Sequence, residues 1–94
     1  MLFHATHKHS YQTCHAHDEE RKEKMMESLQ SADELGVKVH GVYVDPPGHV
    51  IFFVLEADEM EYIVKFFDPM FELGDAKVRP VMSMQDALSA ISKE

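Results

Sequence analysis

The spacing of apolar residues changes along this chain from every second position to every third or fourth and back, and each change marks an element. Residues 1–8 alternate as a strand, with Phe3, Ala5 and His7 on one face and Leu2, His4 and Thr6 on the other. From Thr13 to Leu35 the pattern is helical: Met25, Leu29, Ala32 and Leu35 share one stripe. Asp18, Glu19 and Glu20 suit the positive end of the helix dipole, and Gly36 is placed to end the helix in the left-handed conformation. Followed backwards, the stripe meets Lys22, Asp18 and then Cys14 or His15. The first turns therefore either stay solvated or pack with polar groups, and the pattern leaves residues 9–17 open between loop and helix.

Val37–Val44 and Val50–Glu56 read as two strands joined by the turn Asp45-Pro46-Pro47-Gly48, a hairpin. A four-residue turn would pair Val44 with His49, Val42 with Ile51 and His40 with Phe53 on one side. Gly41 would then face Phe52, and Val39 would face Val54, on the other side. Asp58 and Glu61 make a capping box for a second helix with Met60, Ile63, Val64 and Phe67 in phase. Asp68-Pro69 stops it. Ala76–Met82 is a last strand, and Pro80 requires its place in it to lie at a sheet edge or a bulge; the strand order expected below puts it at an edge. Ser83 and Asp86 cap a short terminal helix carrying Met84, Ala87, Leu88 and Ile91.

The order β-α-β-β-α-β plus a short C-terminal helix is that of an α+β, ferredoxin-like domain filling residues 1–94. It predicts an antiparallel sheet with two helices on one face and the strand order fourth, first, third, second. The third strand is apolar on both sides: Ile51, Phe53 and Leu55 face one way, Val50, Phe52 and Val54 the other. Two helices cover only one side, so the open face predicts a homodimer packed sheet to sheet.

From Gly36 to Val81 the chain resembles small members of the dimeric α+β-barrel superfamily, the GYD-type and related ferredoxin-like domains. The matching features are Gly36-Val37, Gly41, the turn from Asp45 to Gly48-His49, Phe52–Glu56 followed by Ala57-Asp58, Leu73-Gly74, and Val78-Arg79-Pro80-Val81. The resemblance implies a dimeric α+β barrel. It leaves activity open among cofactor-free monooxygenases, haem enzymes and metal-binding proteins, because these motifs are turn and strand chemistry.

Charge narrows the classes. Nine basic against seventeen acidic residues give a formal net charge of −8, which excludes a phosphate-binding basic face and so nucleic acid. It also opposes an anionic membrane surface. No apolar run approaches the roughly 20 residues of a membrane span. The polar start after Met1-Leu2-Phe3-His4 shows no signal-peptide pattern, and a single cysteine suits a reducing compartment. A cytoplasmic protein is the expectation.

The chemistry concentrates in histidine. Of seven histidines, His4, His7, His9, His15 and His17 fall within the first seventeen residues beside Cys14, and His40 and His49 belong to the hairpin. Imidazole and thiolate are ligands for nickel, copper and zinc. His7 and His9 share a strand face, and Cys14 and Asp18 share a helix face, so His7, His9, Cys14 and His15 or His17 form the first candidate ligand set. His4, His40 and His49 complete the candidates, with His40 and His49 standing far apart on the ladder. The primary expectation is a transition-metal-binding protein for sensing, buffering or delivery. A monooxygenase-like enzyme would instead use a cavity lined by Phe3, Phe52, Phe53, Phe67 and Tyr43, with His40 or His49 as base or haem ligand; haem is the weaker cofactor reading. An assembly or regulatory module, including one that responds to pH through its histidines, is the third class.

Overall fold

The computed structural model of the protein describes residues 1–10 and 18–92. Its elements are β1 (Leu2–Lys8), α1 (Glu19–Ser31), β2 (Lys38–Asp45), β3 (Val50–Glu56), α2 (Met60–Phe67), a 3-10 turn (Asp68–Met70), β4 (Asp75–Val81) and α3 (Met84–Ile91). The four strands form one antiparallel sheet in the order β2-β3-β1-β4, the ferredoxin-like arrangement. Pro80 lies on the edge strand β4, where its missing N–H is harmless.

Alternation along β1 and β3 decides which side chains enter the core. Phe3, Ala5 and His7 of β1, and Ile51, Phe53 and Leu55 of β3, are all buried. The helices cover them with Met25 and Ser28 of α1 and Ile63, Phe66 and Phe67 of α2. Phe53, Phe66 and Phe67 meet edge to face, with ring centres 5.1 to 6.0 Å apart. Such pairs contribute about 0.5–1.5 kcal/mol each beyond the area they bury.

Several boundaries differ from the sequence reading. Helix α1 starts at Glu19, because Asp18 is its N-cap and accepts from the Arg21 amide at 3.0 Å. The stretch of the expected helix from Thr13 to His17 lies outside the described residues. Gly36 does take the left-handed conformation after α1, with φ of 79°. Glu59 rather than Asp58 caps α2, without a side-chain hydrogen bond. The buried stripe of α2 is therefore Ile63, Phe66 and Phe67, running on to Met70 in the 3-10 turn, while Met60 and Val64 are exposed.

The hairpin register slips by two residues from the expected one. Asp45 pairs with Val50, Val44 with Ile51, Val42 with Phe53 and Gly41 with Val54, so Pro46–His49 form the loop. A bulge between Val39 and Gly41 then sets Val39 opposite Leu55 and Lys38 opposite Glu56, one residue from the expected pairing. The extra residue turns the strand over. Val39, Val42 and Val44 all pair with core-facing residues, while Gly41 and Tyr43 lie on the open face with Val54 and Phe52. The Tyr43 ring folds across Gly41, where a Cβ would sit only 2.8 Å from it.

Candidate functional site

Seen from β1, the core contains one chemical anomaly: His7 stands where the alternation Phe3, Ala5 calls for a hydrocarbon. The ring is wholly buried. Its Nε2 lies 2.9 Å from the Met70 carbonyl oxygen, brought there by the 3-10 turn after α2. A carbonyl only accepts, so Nε2 must carry the proton, and in the neutral ring Nδ1 bears the lone pair. That Nδ1 is buried with no hydrogen-bond partner among the described residues.

His9 follows two residues later, just past the strand, and is also buried. Its backbone amide donates to the His49 carbonyl at 3.0 Å, tying the end of β1 to the β2–β3 loop. His49 has φ of 56°, a left-handed conformation that a non-glycine residue adopts only under constraint. The constraint is the loop itself: the His49 amide donates to Pro46 O at 3.2 Å, and the Gly48 amide donates to Asp45 Oδ1 at 3.2 Å. This turn lays the His49 ring edge-on against His9, with ring centres 5.2 Å apart. His7 and His9 are 6.2 Å apart. The His49 Nδ1, like that of His7, is buried without a hydrogen-bond partner among the described residues. On the other side of β1 the chain passes so close to Gly74 that a Cβ there would run into the Lys8 carbonyl, which fixes the start of β4 against His9.

The eight candidate ligands therefore divide. His7, His9 and His49 come together at one end of the sheet, including the hairpin histidine that the ladder count had set apart. His4 is on the open face, tilted against Phe52 at 6.4 Å and opposite Arg79. His40 sits at the bulge near the far end of β2, with Nε2 2.7 Å from Glu56 Oε1, not opposite Phe53 as expected. Neither His4 nor His40 belongs to the cluster. Cys14, His15 and His17 lie outside the described residues, in the segment that begins two residues after His9 and ends at the cap of α1. Asp18 is committed to capping.

Two hydrogen-bonded side-chain pairs frame this picture. Lys24 of α1 and Glu72 are 2.7 Å apart. Their hydrogen bond holds the Glu72 carboxyl below, and the Lys24 ammonium above, its ordinary range. At the opposite end, the hydrogen bond from His40 holds the Glu56 carboxyl below its ordinary range.

Two imidazoles on one tetrahedral ion, each about 2.0–2.1 Å from it, have ring centres about 5 Å apart. His9 and His49 stand at that separation, 5.2 Å, and His7 somewhat farther. Among the described residues no three His, Cys, Asp or Glu side chains converge as a finished ligand set. The aromatic residues offered for an enzyme cavity are divided by the sheet: Phe3, Phe53 and Phe67 are buried beneath the helices, Phe52 and Tyr43 lie on the open face. They cannot line one chamber. Sequence reasoning missed the Met70 carbonyl, which no local pattern signals, and the role of His49, which a left-handed loop position created.

A family model covers the whole chain, residues 1–94, described as a domain of unknown function, DUF3303. The protein belongs to the DUF3303 family. Among solved structures the chain is similar to the crystal structure of SCO4226 from Streptomyces coelicolor A3(2). The likeness has a TM-score of 0.64 at 14% identity, covering 88% of this chain and 99% of that one. It supports the ferredoxin-like fold of this DUF3303 domain. No curated protein matches it significantly. Among its described residues, no helix is long and apolar enough to cross a membrane.

Proposed function

We propose that the protein binds a late first-row transition-metal ion, nickel, copper or zinc, at the buried end of β1. His7, His9 and His49 supply imidazoles, and Cys14, His15 and His17 supply the remaining donors from the adjoining segment. One observation carries this reading. His7 is buried with Nε2–H given to the Met70 carbonyl and an Nδ1 that has no hydrogen-bond partner among the described residues. A ligating histidine commonly donates its second ring nitrogen to a backbone carbonyl, which fixes the tautomer and aims the lone pair. A structural histidine in an apolar core would instead satisfy both nitrogens. The soft nitrogen and sulfur donors favour these metals over calcium or magnesium.

On this reading the protein handles a metal in the cytoplasm, by sensing, buffering or delivery, and it is placed with the small dimeric α+β-barrel proteins by the turn and strand motifs quoted above. The test is calorimetric titration of the full chain with nickel, copper and zinc salts, beside His49→Ala and the double change His7→Ala/His9→Ala. Stoichiometric binding that is weakened by His49→Ala and lost in the double variant is expected. It should also weaken below about pH 6, because the ligands must be deprotonated. Absence of uptake for all three metals, or uptake unchanged in both variants, would refute the site.

A further inference from the structure

The cations of this chain divide by element. Those on helices each have a carboxylate 2.7 to 3.9 Å away: Arg21 with Asp18, Lys22 with Glu19, Lys24 with Glu72 and Lys65 with Glu61. Those on strands, Lys8, Lys38, Lys77 and Arg79, have no ion pair among the described residues. In a chain of net charge −8 carboxylates are in excess, so a cation without one is the exception.

The register gathers these exceptions. Across β1 and β4, His4 pairs with Arg79, Thr6 with Lys77 and Lys8 with Asp75. Alternate positions share a face, so His4, Thr6, Lys77 and Arg79 stand together on the side away from the buried Phe3, Ala5 and His7. They line a hollow of about 200 Å³ that no carboxylate borders. The acids of this face are committed elsewhere. Glu56 is held by His40 at 2.7 Å, Asp45 takes the Gly48 amide, and Asp75 stands opposite Lys8.

The chemistry of the hollow defines its ligand. The Arg79 guanidinium offers parallel N–H donors to two oxygens of one group, the fork that matches a carboxylate. Lys77 adds a second positive charge, and the Thr6 hydroxyl a neutral donor. The wall beside them is apolar. Phe52 lies opposite Thr6 and Val54 opposite His4 on β3, and the His4 ring is tilted 40° against Phe52 at 6.4 Å. A bare inorganic anion would leave that wall unused. Size sets the last limit, because sites for drug-sized ligands run to roughly 300–1,000 Å³, and this hollow is smaller.

We propose that the β1–β4 half of the open sheet face binds a small aromatic carboxylate. Arg79 and Lys77 hold the carboxylate, Thr6 donates to it, and the ring lies against His4 and Phe52. The inference does not rest on the metal reading, whose His7 lies on the opposite side of β1.

Titration of the isotope-labelled full chain with benzoate, followed by amide NMR shifts, tests it. Saturable shifts centred on His4, Thr6, Lys77 and Arg79 are expected. Arg79→Gln changes an exposed side chain, so the fold should hold while the dissociation constant rises about tenfold or more. Lys77→Gln gives the same reading should that variant fail to fold. Benzamide, which keeps the ring and loses the charge, should not bind, and inorganic phosphate should bind more weakly than benzoate. Absence of saturable benzoate binding, or affinity unchanged in the variants, would overturn the proposal. So would benzamide or phosphate binding as tightly as benzoate, or shifts confined to the His9 and His49 end of the sheet.

Discussion

Strand β3 places nearly identical residues in opposite situations. Phe53 is wholly buried against Phe66 and Phe67, whereas its neighbour Phe52 looks out from the open face beside Tyr43 and His4. On one side hydrocarbon is held by hydrocarbon of the same chain, and the free energy is internal to the domain. On the other side, no element of the described residues covers the hydrocarbon. Apolar character in a strand therefore does not by itself report burial within the chain.

Phe53→Ala should break the inner face most severely, lowering the unfolding free energy in urea by about 3–5 kcal/mol at any protein concentration. A smaller loss would mean the ring cluster is looser than its edge-to-face geometry indicates. His7→Leu comes next. It leaves the Met70 carbonyl without its donor, a cost of about 1–3 kcal/mol, partly offset by the apolar side chain. Added nickel or zinc should raise the melting temperature of the unmodified protein and not that of this variant. Phe52→Ala should cost about 1 kcal/mol or less, because its ring is only half-buried in the chain. Equal losses for Phe52 and Phe53 would erase the contrast between the faces.

The smallest effect belongs to Glu56 on the open face. Its carboxyl is held below the ordinary value of 4.5 by the bond from His40. The stabilisation is thus fully present above pH 4.5 and lost as pH falls through the lower folded value. The melting temperatures of the unmodified protein and Glu56→Gln should differ slightly near pH 6 and converge in stronger acid.

Element order and sheet topology were legible because period-two and period-3.6 spacing, Pro80 and the turn at Asp45–Gly48 all agree on one arrangement. The faces of β2 were less so. Nothing in Val39-His40-Gly41 announces a bulge, and the four-residue loop proved to be Pro46–His49, one position beyond the Asp45–Gly48 turn motif, which slips the pairing by two. The apolar phase of Met84, Leu88 and Ile91 correctly gave a helix. It did not say what that face packs against, because amphipathicity names a face without naming its partner. At the site, His7 and His9 could be read from strand spacing. His49 could not, since its place depends on a left-handed residue closing a loop. Cys14, His15 and His17 lie outside the described residues.

The bulge at His40 acts on β2 as a frameshift acts on a reading frame. Every residue upstream keeps its sense, and every residue downstream to Asp45 is read on the opposite face. Deleting that one residue would leave composition almost untouched, yet it would turn Val42 and Val44 to the side of Phe52 and Val54 and Tyr43 to the side of Ile51 and Phe53, exchanging the two faces of half a strand.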